Sequence, residues 1–112
     1  MSELALAAAV REHVLGTLDQ IPRGEGRNFV VAGRTVAVFR THADEVFASQ
    51  PECPHRNGPL ADGILGGTIL VCPLHDRAFD LRTGASLADE CGLAVFPARV
   101  TAQRMIVLTL PA

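Results

Sequence analysis

The sequence predicts an all-β fold, a small sandwich or barrel carrying a loop-rich insertion. Short β-branched and aromatic runs recur from Val14 onward, and Gly, Pro, Asn and Asp clusters separate them. Breakers then crowd into one stretch, 51–84, where only brief apolar pieces survive. At 112 residues the chain has room for one domain and not for two of ordinary size.

The first ten residues are rich in Ala and Leu, with Ser2 one position before Glu3, and fit a short helix or a frayed terminus equally well. Residues 1–13 are therefore set apart as an N-terminal segment, and 14–112 as the domain. Pro22, Gly24 and Gly26 punctuate a loop before the first hairpin. Phe29–Val31 and Thr35–Phe39 flank Ala32-Gly33-Arg34 and read as that hairpin. After a polar turn at His42-Ala43-Asp44, Glu45–Ala48 is a third short strand.

The insertion at about 51–84 holds Pro51, Pro54, Pro59 and Pro73 together with Gly58, Gly63, Gly66, Gly67 and Gly84. Between its apolar pieces, Gly63–Leu65 and Thr68–Val71, Gly66-Gly67 signals a two-residue hairpin turn. A turn at Asp89–Gly92 precedes Leu93–Val100 and Met105–Leu110, which read as a final β-pair. The five phenylalanines (Phe29, Phe39, Phe47, Phe79 and Phe96) fall at strand positions and are expected in the core. No internal repeat is present.

Composition narrows the function classes. Hydrophobic residues make up 48 %, enough for a compact core. Net charge is −2, every basic residue is Arg, and no basic tract marks a nucleic-acid face. The longest apolar run, Leu4–Val10, is far shorter than the roughly 20 residues a membrane span needs. It has neither a basic leader nor a cleavage site, so the expected compartment is the cytoplasm. No Ser/His/Asp triad, carboxylate pair or phosphate loop stands out, and no catalytic residue is assigned.

Three cysteines fit poorly with a disulfide framework. Two of them pair with histidines instead. Cys53-Pro54-His55 and Cys72-Pro73-Leu74-His75 are separated by residues 56–71, and each sits at the mouth of a Pro- and Gly-rich loop. A hairpin joining the loops can bring all four together. Two thiolates and two imidazoles suit either zinc or a two-iron cluster in which two His replace two Cys on one iron. A zinc finger of the common Cys₂His₂ kind places both Cys on one turn and both His on a helix. Here each loop supplies one of each. Cys91 stands apart and is expected to be a buried or half-buried thiol. His13 and His42 are expected at the surface or at strand ends. Arg56 and Arg77 follow ligand positions and read equally as docking rim or as solvated loop charges.

The paired motif C-P-H and C-P-L-H resembles the Rieske [2Fe–2S] signature. The resemblance continues through Gly58-Pro59-Leu60, Gly63 and Phe79–Gly84, and covers the chain from about Val14 to Leu110. It implies a Rieske-type β-fold with a cluster-binding subdomain. Cys53 and Cys72 would hold the buried iron, and His55 and His75 the outer iron. Such a ligand set leaves the oxidised centre formally near zero charge, against about −2 for an all-Cys cluster, which eases uptake of an electron. Respiratory members carry a loop disulfide, and Gly58 and Leu74 stand at its positions here. They also use a Tyr hydroxyl, and this chain has no Tyr. High-potential quinol chemistry is thus not implied.

Ile21–Arg27, Val36–Arg40, Cys53–Leu60 and Phe96–Val100 look like the small subunit of assimilatory NAD(P)H-dependent nitrite reductase. That resemblance implies one-electron transfer beside a large subunit holding flavin, a [4Fe–4S] cluster and sirohaem, with no turnover by the small chain alone. The alternative is a Rieske ferredoxin supplying a ring-hydroxylating oxygenase and fed by its reductase. A zinc-bound or cluster-free interaction module is a third reading, from another class.

Overall fold

Alternation along Arg34–Arg40 organises the protein. Val36 and Val38 are buried in one hydrophobic cluster, while Ala37 and Phe39 are buried in another, because successive side chains leave a strand on opposite faces. This strand is therefore part of a middle layer with a core on each side. A computed structural model describes residues 10–54, 57–74 and 77–111.

Among the described residues the strands run in chain order as β1 (Val10–Thr17), β2 (Glu25–Val31), β3 (Arg34–Arg40) and β4 (Val46–Ser49). Then come β5 (Ile64–Gly66), β6 (Ile69–Val71) and β7 (Ala78–Asp80). The last three are β8 (Val95–Phe96), β9 (Ala98–Val100) and β10 (Met105–Pro111). The middle sheet has the order β2-β3-β4-β8. A sheet of order β1-β10-β9 packs on its first face, through Ile106, Leu108 and Leu110. On its second face lies the core of a small sheet, β5-β6-β7, contributed by Leu65, Leu70 and Phe79. All strand pairings among the described residues are antiparallel. The all-β expectation holds.

The first hairpin forms where its turn residues predict. Ala32 and Gly33 both take positive φ, 51° and 77°, between the paired Val31 and Arg34. In the second hairpin Gly66 is itself paired with Ile69, so the turn lies one residue later, at Gly67-Thr68, with Gly67 at φ 59°. Strand β2 starts at Glu25, inside the predicted loop. Gly26 permits this, since a Cβ there would approach the Phe39 ring to 2.5 Å.

Two other differences have clear causes. β1 begins at Val10, four residues before the expected start of strand structure, and residues 1–9 lie outside the described set. Its polar residues Arg11, Glu12 and His13 hide the pattern because this edge strand is mostly exposed. The run Leu93–Val100 is not one strand. Pro97 has no N–H to continue a ladder and divides it. Val95 pairs with Ser49 in the middle sheet, whereas Ala98 pairs with Leu108 in the first. The Pro97 carbonyl accepts the Thr109 N–H at 2.9 Å, so the crossing point is itself bonded.

A buried cation closes one end. Arg40 is 6 % exposed, and its Nη1 donates to the Ile21 carbonyl at 2.9 Å while Nε donates to Asp44 Oδ1 at 2.9 Å. Arg23 grips the same carboxylate from outside through two bonds. No helix among the described residues is long and apolar enough to cross a membrane.

Candidate metal centre

The two cysteine loops meet at the open end of the β5–β6 hairpin, where Ile64 pairs with Val71: Cys53 lies before the hairpin and Cys72 directly follows it. The first closes on itself. The Cys53 N–H donates to the Gly58 carbonyl at 2.8 Å, and the Asn57 N–H donates to the Cys53 carbonyl at 2.9 Å. Asn57 takes φ 58°, a left-handed conformation that Asn tolerates better than most residues. The Leu60 N–H, bonded to the Pro51 carbonyl at 3.1 Å, seals the base of the loop. The second loop is closed by the Cys72 N–H on the Arg77 carbonyl at 2.7 Å.

Both cysteines are fully buried, at 0 % exposure, and share one apolar cluster with Leu60, Leu70, Phe79 and Leu81. Neither is in a disulfide. From each sulfur the chain turns straight to solvent: Pro54 is exposed after Cys53, and Leu74 is 57 % exposed two residues after Cys72. An inner pair of sulfurs beneath an outer tip is the polarity that a two-iron site with unlike ends requires. His55 and His75, the expected outer ligands, lie outside the described residues, as do Arg56 and Asp76.

Gly58 connects the loops. Its carbonyl bonds the first cysteine's N–H, and a Cβ added to it would stand 2.9 Å from the Cys72 Sγ and 3.2 Å from Leu74. The missing side chain leaves the cradle that the second sulfur occupies. Two soft sulfur donors held in an apolar, bonded pocket fit an iron–sulfur centre, since thiolate ligands suit such clusters and burial shields them from water.

A third wall was not legible. The turn 86–91 runs beside β7, with the Leu87 N–H donating to the Ala78 carbonyl at 2.9 Å. Ser86 Oγ accepts the Ala88 N–H, and Asp89 Oδ1 accepts the Cys91 N–H at 2.9 Å. The other Asp89 oxygen accepts from Arg77 Nη1. These bonds hold the Asp89 carboxyl below the usual carboxylate range, the Cys91 N–H first among causes, then Ser86 and Arg77. The Ser86-x-x-Asp89 spacing is the local signal that marks this turn. Cys91, expected buried or half-buried, is instead exposed. It sits on this outer turn, where no strand directs it inward. Thr83-Gly84 lies in a turn, with Gly84 at φ 82° and its N–H donating to the Asp80 carbonyl at 2.6 Å.

Comparison with known proteins agrees with this geometry. The pattern of the Rieske [2Fe–2S] domain matches residues 11–97. The anthranilate 1,2-dioxygenase ferredoxin subunit of Burkholderia cepacia is 34 % identical over 106 residues, covering 95 % of this chain and 92 % of that one. Among solved structures, a candidate NADH-dependent nitrite reductase small subunit from Mycobacterium tuberculosis superposes with a TM-score of 0.84. It is 26 % identical, and the match covers 92 % of this chain and 97 % of that one. The ferredoxin of carbazole 1,9a-dioxygenase from Nocardioides aromaticivorans gives 0.75 at 32 % identity, over 87 % and 95 %.

Proposed function

The chain belongs to the Rieske [2Fe–2S] family, and from that premise we propose that it serves as the electron-transferring small subunit of an NAD(P)H-dependent nitrite reductase, in nitrate assimilation. The observation that carries a redox role is the pair of fully buried cysteines on two interlocked loops. By the family's ligand pattern, Cys53 and Cys72 would hold one iron of the cluster, and His55 and His75 would hold the other. When bound, the cluster takes up and releases one electron at a time.

The chain's own residues do the rest. Leu60, Leu70, Phe79 and Leu81 keep water from the sulfurs. The Gly58 carbonyl fixes the first loop, and the Arg77 carbonyl fixes the second. Pro54 and Leu74, exposed just beyond the two cysteines, offer a face to a partner, the large reductase subunit. The cytoplasm suits cysteines that form no disulfide.

The overlap with the Mycobacterium tuberculosis structure over nearly both full lengths supports the nitrite reductase reading. The 34 % identity to the Burkholderia cepacia ferredoxin favours a second reading, a free carrier for a ring-hydroxylating oxygenase.

Anaerobic reconstitution tests the shared claim. Cys53→Ser, Cys72→Ser, His55→Ala or His75→Ala should each remove most of the visible absorbance, while Cys91→Ser should leave it intact. A colourless wild-type protein without iron would sink it. Stopped-flow mixing of the reduced protein with a sirohaem reductase subunit or with an oxygenase then chooses the partner. Rapid reoxidation by the oxygenase alone would replace the first reading with the second.

A further inference from the structure

We propose that Arg77 and Asp89 form a positioning clamp, which ties the second cysteine loop to the turn 86–91 and cancels the guanidinium charge beside the metal centre. The inference rests on the cluster assignment above.

An ordinary exposed ion pair contributes little, because two mobile side chains must be ordered to form it. Asp89 is already ordered. One of its oxygens is committed to the Cys91 N–H, and its own N–H approaches Ser86 Oγ at 3.3 Å. The turn that carries it is bound to β7 through Leu87 and through a bridge between Ser86 and Phe79. Arg77 is constrained from the other side, since its carbonyl holds the Cys72 N–H and its side chain is only 25 % exposed. The pair thus joins two loops that are each already bonded to the core. Its formation orders little and its loss frees the end of the loop that begins at Cys72.

Charge gives the clamp a second consequence. Arg77 lies two positions after His75, so its cation is among the formal charges nearest the tip in sequence. Asp89 neutralises it. A positive charge left near the centre favours the reduced form, and a negative one favours the oxidised form. Deleting one partner should therefore shift the redox equilibrium in the direction opposite to deleting the other. A merely structural tie would shift both the same way.

The test uses reconstituted holoprotein carrying Asp89→Asn, Arg77→Gln, both together, or Asp89→Glu. Asparagine keeps an oxygen for the Cys91 N–H and removes only the charge. Asp89→Asn should favour reduction by roughly two- to tenfold, a rise of about 20 to 60 mV at 59 mV per tenfold. Arg77→Gln should move the midpoint down by a similar factor. The double variant should return to within about twofold of wild type, yet bleach several-fold faster under a chelator because the tie is gone. Asp89→Glu keeps the charge and should behave as wild type. Single variants that shift the same way, or not at all, would overturn the clamp. So would a double variant that bleaches no faster, or failure of Asp89→Glu to keep its cluster. A colourless wild type would instead overturn the cluster assignment itself.

Discussion

Gly58 and the Cys72 sulfur share a space that admits nothing larger than hydrogen: a Cβ at position 58 would lie 2.9 Å from Sγ. The residues are far apart in sequence and sit on different loops. Adding a methyl group must push the sulfur, or Leu74 at 3.2 Å, out of place. Overpacking of this kind costs about 1–3 kcal/mol. Gly58→Val should therefore lower bound iron per protein and quicken bleaching under a chelator, with Gly58→Ala in between. A valine variant that retains iron as well as wild type would show that the loops give way freely.

The two cores on either face of β3 should fail differently. Phe79 is 1 % exposed and packs with the cysteines, whereas Leu108 is fully buried in the opposite cluster. Phe79→Ala should cost about 3–5 kcal/mol and release the cluster, since it opens the pocket around both sulfurs. Leu108→Ala should cost about 2–5 kcal/mol while folded molecules keep the wild-type spectrum. Denaturant melts followed at visible and far-ultraviolet wavelengths separate these outcomes. Coincident loss of colour in both variants would argue for a single cooperative core.

Acid should loosen the Arg40 end. Hydrogen bonds from Arg23, then Arg40, hold the Asp44 carboxyl well below the usual range. A depressed folded-state pKa stabilises the fold above the unfolded value, about 3.9, and that contribution fades as pH falls below it. Asp44→Asn should be less stable than wild type at pH 7, and the gap in Tm should shrink progressively as pH falls below about 4. Asn accepts the positive φ of 63° at this position, so the comparison isolates charge. A gap that is constant with pH would remove the ion pairs from the account.

The midpoint potential should lie low for the family. Rieske centres span about −150 to +300 mV, rising with hydrogen bonds to sulfur. This chain contains no Tyr to donate one, and Gly58 and Leu74 leave no loop disulfide. Voltammetry at neutral pH should give a value below about +100 mV. A reading far above it would mean that backbone donors alone raise the potential.

Much of this protein was legible in local sequence. Ala32-Gly33 between apolar runs determined a hairpin, because few residues tolerate two successive left-handed positions. The C-P-H and C-P-L-H pairs marked two loops, and the fold does bury Cys53 and Cys72 in one apolar cluster. Turn chemistry and ligand spacing act over a few residues, so they survive reading in one dimension. Tertiary structure alone decided what depends on distant partners. Pro97 divides a continuous apolar run because its two halves find β4 and β10, in different sheets. Cys91 is exposed because the turn carrying it is pinned to β7 from outside. Val36 and Ala37, adjacent in the chain, enter different cores because sheets pack on both faces of β3. Gly58 matters only because a sulfur from the other loop arrives against it, and that approach exists only once the β5–β6 hairpin has closed.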